Sequence, residues 1–360
     1  MEPKNRLNQD ERRVNLNISR VRSRGHRLAD SHVTLAHGAG GKASAALVEV
    51  VFYDAYGNSV LEQRGDSAVI PLAEIAATTE GSLAFSTDSY VVNPIVFPGG
   101  NIGELAVNGT VNDLAAGGAQ PKFLSAAFIL EEGLEIAVLR EIVAAMRDAA
   151  AAAGVQIVAG DTKVVPKGAG DNLYITTAGV GVVPPGRLST PPQPGDVVIV
   201  SGPIADHGMA VMLARGDLAI SAPIESDTRP IHHMVESLFE VCEPRWVRDA
   251  TRGGLATVVN ELASATGWGV ALEDSAIPVR DMTRAACDML GIDPLYVANE
   301  GTFVVVVPPA DVDAALACLP EGRAVGQVVE RPAASVVLKT GFGGTRMVDM
   351  LVGDPLPRIC

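Results

Sequence analysis

The stretch that most constrains this chain is PPGRLSTPPQPGD, residues 184–196, where five prolines and two glycines interrupt apolar segments on both sides. Proline removes a backbone donor and breaks helices and central strands, so no regular element runs through this stretch and the chain divides there. Upstream, SAVIPL, LAFSTDSYVV, KFLSAAFIL, VQIVAG and LYITTAGVGVV are short, β-rich and bounded by turn residues, the pattern of strands. NIGELAVNGTVNDLAAGG, with Asn101 as N-cap and Gly117 as stop, and LEIAVLREIVAAMRDAAAAAG, ending at Gly154, have the spacing of helices. Downstream, DVVIVSG, GVALED, GTFVVVVP, RAVGQVVE and SVVLKT are predicted strands. Residues 206–215 and 229–241, with ATVVNELASATG, DMTRAACDMLG and ADVDAALACL, are predicted helices. Both halves mix strands and helices at similar spacing, which predicts an α+β module used twice. A length of 360 residues suits two domains of ~100–200 residues each.

Charge narrows the function. The net charge of −14 and an aromatic content of 4% argue against a nucleic-acid groove, which needs clustered Lys and Arg with stacking platforms. Residues 1–30 run the other way, with eight Lys and Arg against four acids. This leader lacks an apolar core and a small-residue cleavage site, and reads as a disordered extension or an upstream start. No apolar run reaches the ~20 residues of a membrane span. Cys242, Cys287, Cys318 and Cys360 show no CxxC pairing, and the six His show no HExxH, so neither a zinc site nor a disulfide framework is indicated and a cytoplasmic location fits.

Single acids recur beside Gly, Ser or Thr against apolar segments: Asp66 in RGDSAVI, Asp88 in STDSYVV, Asp113 in TVNDLAAGG, Asp161 in AGDTKVV and Asp249 in VRDATRGGL. Any one is ordinary turn or cap chemistry. Five together suggest carboxylates gathered at one sheet edge, with Asp66 and Asp88 opening strands and Asp161 closing one. Such a cluster repels itself unless a hard cation such as Mg²⁺, shared with substrate phosphates, neutralises it. HGAGGK, residues 37–42, is not a P-loop, since Ala36 and Ala43 stand where Gly and Ser or Thr are required. Its glycines can still bring backbone N–H groups to phosphate oxygens, with Lys42 adding a charge. FPGGNIGE, residues 97–104, is a second Gly-rich approach, here to a helix N-terminus. Lys163 beside Asp161-Thr162, and Glu300 in VANEGT before an apolar strand, suit phosphoryl and proton transfer.

LAHGAGGKAS, DSYVVNPIVFPGGNIGELAVNGTVNDLAAGGAQP, AGDTKVV, DATRGGLATVVNELA, ANEGT and the terminal PRIC together resemble the ATP-dependent superfamily of aminoimidazole ribonucleotide and selenophosphate synthetases. Within it they resemble the HypE-type carbamoyl dehydratases of [NiFe]-hydrogenase maturation. The resemblance runs from about Thr34 to Cys360. It implies a two-domain PurM-like ATPase fold: a basic extension (1–31), an ATP- and Mg²⁺-binding domain (32–185) with a barrel-like dimer interface, a C-terminal α/β sandwich (196–352) and a flexible tail (353–360). It also implies that Asp66, Asp88, Asp113 and Asp161 bind Mg²⁺ or nucleotide, with Asp249 a further metal ligand and Asn112 and Thr162 at the nucleotide. Gly38, Gly40, Gly41 and Lys42 would lie on the phosphates. Cys360 would accept a carbamoyl group from a HypF-type carbamoyltransferase, Lys163 or Glu300 would serve its dehydration to a thiocyanate, and a HypC–HypD-type scaffold would take the cyanide.

The tail fits that role. Residues 353–360 span at most ~26 Å, and Pro355 and Pro357 keep them extended. Arg358 steers the tail toward phosphates or acids and favours the thiolate. A selenophosphate or aminoimidazole ribonucleotide synthetase leaves the terminal Cys unexplained, and a non-catalytic scaffold that presents the tail would release no ADP.

Overall fold

Two sheets and one buried helix organise the chain. In the first half, β1 (Ser82–Tyr90), β4 (Gln120–Glu131), β5 (Gln156–Val165) and β6 (Leu173–Val183) form a four-stranded sheet in the order β1-β6-β4-β5. The computed structural model describes residues 28–65, 67–75, 80–216 and 220–350. The basic leader to residue 27, Asp66 and the tail with Cys360 lie outside the described residues.

Each strand alternates in and out. Leu124, Phe128 and Leu130 of β4 and Leu173 and Ile175 of β6 are buried against helices, while Leu83, Phe85 and Ile129 are exposed on the other face. Register carries the acids to opposite sides of this sheet. Asp88 pairs with buried Thr177 and so faces inward, whereas Asp161 and Lys163 pair with Ala127 and Ile129 on the open face. The sheet does not close into a barrel within one chain: β1 and β5 are its two edges.

In the second half, β7 (Val197–Val200), β8 (Trp246–Asp249), β9 (Gly269–Glu273), β10 (Phe303–Val307), β11 (Arg323–Val329), β12 (Val336–Lys339) and β13 (Thr345–Val348) form a seven-stranded sheet in the order β13-β12-β9-β11-β7-β10-β8. Its central strands read as unbroken apolar runs because both faces are covered. Val198, Val200, Val304 and Val306 pack with the helix Gly254–Thr266, and Ile199, Val305 and Val307 with the helices His232–Val241 and Val312–Cys318. This is the α/β sandwich expected from sequence.

In chain order the helices are α1 (Lys42–Leu47, prolonged by a wide turn to Tyr53), α2 (Leu72–Ile75), α3 (Ile102–Ala116), α4 (Ile136–Ala152), α5 (Asp206–Ala214), α6 (His232–Val241), α7 (Gly254–Thr266), α8 (Asp281–Leu290) and α9 (Val312–Cys318). Thirteen of the fifteen residues of α3 are buried, so it has no solvent face and serves as common core to both halves. It packs on β1 and β6 on one side and on α6 and β8 on the other. Its start is as predicted: the Asn101 carboxamide oxygen accepts from the N–H groups of Gly103 (2.8 Å) and Glu104 (3.1 Å).

Several expectations are corrected. SAVIPL forms no strand: its described residues are irregular up to α2, because no neighbouring strand pairs with them. Asp161 sits inside β5, which continues to Val165, and Asp88 lies near the end of β1 instead of opening it. Asp113 lies in the last turn of α3, inside the helix that the sequence predicts. Strands β8, β13 and the two-residue hairpin β2 (Val96–Phe97) with β3 (Gly100–Asn101) carry too little apolar alternation to be seen in advance. Among the described residues no helix is long and apolar enough to cross a membrane.

Candidate active site

Four elements deliver carboxylates to one cavity of about 190 Å³: β1 brings Asp88, α3 brings Asp113, β8 ends in Asp249, and the loop before β10 carries Glu300. Tyr90 and Arg252 complete its walls. Asp88 accepts from the Ser89 N–H at 2.8 Å, and Asp113 accepts from the Ser86 hydroxyl at 2.6 Å. Burial raises the Asp113 carboxyl above its usual range, against the lowering by Ser86. Burial, then the charge of Asp113, pushes Asp249 up to about 7. Glu300 is raised well above the usual range, first by burial and then by Asp227, Asp249, Asp88 and Asp113. Like charges in a dry pocket hold protons in the absence of a cation.

The backbone around Glu300 is fixed by side chains from both halves. Asp227 accepts from the N–H groups of Glu300 and Gly301, both at 3.0 Å. Asn112 donates to the Glu300 carbonyl (3.1 Å) and the Arg229 carbonyl (3.1 Å), and its oxygen accepts from the Ile231 N–H (2.8 Å). Its amide is thus spent inside the protein, holding the Glu300 loop to α3, and not turned toward a nucleotide. Sequence reasoning missed Asp227, Arg252 and Tyr90. None stands in a Gly-flanked acidic pattern, and only the folded chain brings Asp227 to Glu300.

The Gly-rich segment lies elsewhere. His37, Gly38 and Gly40, with Phe52 and Tyr53, line a cavity of about 350 Å³ against Asp161, Thr162 and Lys163 of β5. Gly40 takes φ +76°, and a Cβ on Gly38 would press on the Val164 backbone at 2.9 Å, so this turn needs glycine. Gly41 and exposed Lys42 start α1 beside it. Lys163 Nζ grips both oxygens of Asp161, at 2.6 and 2.8 Å, and this bond lowers the Asp161 carboxyl below its ordinary value. Within one chain, therefore, Asp88, Asp113, Asp249 and Glu300 come together, while Asp161, Thr162 and Lys163 gather with the glycine turn.

Both cavities suit parts of a magnesium nucleotide. The first offers oxygen donors and sets four acids against the one Arg252 in its wall, a set that suits Mg²⁺. Among the described residues no three His, Cys, Asp or Glu side chains converge on a single point. Mg²⁺ needs no such cage, since it binds through one or two carboxylates and takes phosphate and water oxygens for the rest.

Known proteins bear on this arrangement. Residues 64–183 match the AIR synthase related protein N-terminal domain, and residues 193–339 the C-terminal domain of the same family. The chain is 52% identical over 343 residues to the carbamoyl dehydratase HypE of Rhodobacter capsulatus, covering 92% of this chain and 99% of the relative. A crystal structure of the hydrogenase maturation protein HypE in complex with ATP superposes with a TM-score of 0.84 at 42% identity, covering 91% of this chain and 99% of that one. The HypE of a HypE–HypF complex superposes with a TM-score of 0.72 at 41% identity, covering 85% of this chain and 100% of that one. With both domains matched in order and the likeness running through nearly the whole length, the chain belongs to the AIR synthase related family and, within it, to the HypE carbamoyl dehydratases.

Proposed function

We propose that this chain uses ATP to dehydrate a carbamoyl group carried on its own Cys360, converting S–C(=O)NH₂ into S–C≡N as the cyanide source for the iron of [NiFe]-hydrogenase. The observation that carries the reading is the single cavity lined by Asp88, Asp113, Asp249 and Glu300 in a HypE-type chain. Oxide cannot leave an amide. Transfer of the γ-phosphoryl of ATP to the amide oxygen lets that oxygen depart in phosphate, and removal of the N–H protons closes the C≡N bond. The products are ADP, phosphate and the thiocyanate, so the elements of water end in phosphate and released proton.

Glu300 is the base in this scheme. It is buried in this cavity, and burial, which raises its carboxyl well above the usual range, makes its carboxylate a stronger base than an exposed one. Asp88, Asp113 and Asp249 would hold Mg²⁺, which would supply charge neutralisation for the phosphates, with Asp161 and Asp66 as further ligands of the metal or nucleotide. Gly38, Gly40, Gly41, Lys42 and Thr162 close on the nucleotide in the neighbouring cavity.

The chain forms a homodimer through the open face of the first sheet. Exposed Leu83, Phe85 and Ile129, flanked by two edge strands, favour this, and Asp161 and Lys163 lie on the same face, where a second copy meets them. The domains divide at 32–185 and 196–352, and residues 353–360 are the arm that carries the substrate group. A HypF-type carbamoyltransferase loads the arm, a HypC–HypD-type scaffold unloads it, and the cycle runs in the cytoplasm.

Intact-mass spectrometry of the carbamoylated full chain tests this. Mg-ATP should remove the mass of one water from the terminal peptide, with ADP released, and Cys360→Ala should abolish both steps while leaving ATP binding. Carbamoylation without that loss of mass would sink the mechanism.

A further inference from the structure

Tyr90, the last residue of β1, points inward with Asp88, and its side chain is 2% exposed. Its hydroxyl has no hydrogen-bond partner among the described residues, although it lines the cavity of Asp88, Asp113 and Glu300. A buried hydroxyl without a partner destabilises the fold that holds it. The fold makes specific room for it: Gly109 of α3 lies directly opposite, and a Cβ there would overlap the phenol oxygen. A phenylalanine would fill the ring's place without that cost.

The rest of the wall explains what the hydroxyl is for. Asp88, Asp113, Asp249 and Glu300 offer acceptors to the N–H groups of an entering carboxamide and to a cation, while the wall's donors are the Arg252 guanidinium and the hydroxyls of Thr87, Ser89, Thr251 and Tyr90, of which only that of Tyr90 is both buried and unpartnered among the described residues. A carboxamide also brings one carbonyl oxygen, and that oxygen needs a donor. We infer that the Tyr90 hydroxyl is a catalytic hydrogen-bond donor to the carbonyl oxygen of the carboxamide bound in this cavity. This rests on the reading of the site as a carbamoyl dehydratase. A phenol keeps its proton at neutral pH, so Tyr90 can serve as a donor. The hydrogen bond holds the oxygen for attack on the γ-phosphoryl group and leaves with it. Tyr90 itself forms no covalent bond and transfers no proton.

Tyr90→Phe removes one atom and the unpartnered hydroxyl with it. In the full chain, carbamoylated at Cys360, single-turnover loss of water should slow about 10- to 100-fold, the range for losing a contact that positions the attacking oxygen. Thermal stability should stay level or rise, and the affinity for Mg-ATP should not change. A rate within twofold of the parent overturns the inference. So does a parallel fall in rate and Tm, which marks a structural hydroxyl, and so does a loss of ATP affinity, which would place the hydroxyl on the nucleotide. If the parent chain itself loses no water, the functional reading has failed, and not the assignment of Tyr90.

Discussion

Asp113 and Asp161 look alike in the sequence, each a lone aspartate next to small residues on an apolar element, and they end in opposite surroundings. Asp113 is turned into the protein, shares a cavity with Asp88, Asp249 and Glu300, and is pushed up by burial. Asp161 sits on the open face of the same sheet, gripped by Lys163, and is held low by that bond. The first region presses acids together in one cavity; the second has already neutralised its charge. The difference arises from strand alternation: Asp88 takes the inward register of β1, and Asp161 the outward register of β5. An acid's role here follows from which face of a pleat it occupies.

The largest effect on this contrast should come from Glu300→Gln. Loss of the base should lower dehydration about 10²- to 10⁴-fold. Stability should hold or rise, because a buried acid among acids gives way to a neutral amide whose backbone stays clamped by Asp227 and Asn112. Single-turnover mass spectrometry beside a melting curve checks both. A variant that unfolds early would show that the cavity is a structural polar network and not a stored catalytic one.

A second test uses pH, where the two regions should answer in different windows. For Asp249 the folded value of about 7 exceeds the unfolded ~3.9, so between those limits the folded chain holds a proton that the unfolded chain has lost. Its contribution is full below pH ~4 and is lost as pH rises through about 7, with a slope of at most ~1.4 kcal/mol per pH unit. Asp161 is lowered, so its contribution is present above ~3.9 and lost only as pH falls through its folded value. Urea unfolding with chelator and without nucleotide should show stability declining from pH 5 to 8. Asp249→Asn should flatten that decline, and Asp161→Asn should leave it as it was.

Much of this contrast was hidden in the sequence for physical reasons. The junction at 184–196, most strands and the cap at Asn101 were legible because proline, alternation and capping are local effects. So was each acid singly. Their meeting was not: Asp113 reaches Asp88 only because α3 lies across β1, and Glu300 joins them from a loop far along the chain. Tyr90 looked like an ordinary strand aromatic, since nothing local marks an unpartnered hydroxyl. SAVIPL misled because a short apolar run has no period by which to tell a strand from an irregular segment, and only a pairing partner decides.

The smallest effect should be on stability at the open face. Lys163 and Asp161 form a short ion pair, but their side chains are 65% and 63% exposed. An exposed pair gains little Coulomb energy in water and costs side-chain entropy, so its net contribution is typically ~0–1 kcal/mol. Lys163→Ala should therefore shift Tm by no more than ~4 °C at low salt, and the difference should shrink in 0.5 M salt as screening removes the attraction. Under the proposed homodimer, dehydration should nevertheless slow, because the second copy would meet the sheet at this lysine. A large loss of stability that persists in salt would mean that the pair is buried in the dimer. The open face would then resemble the carboxylate cavity more closely than its exposure in one chain suggests.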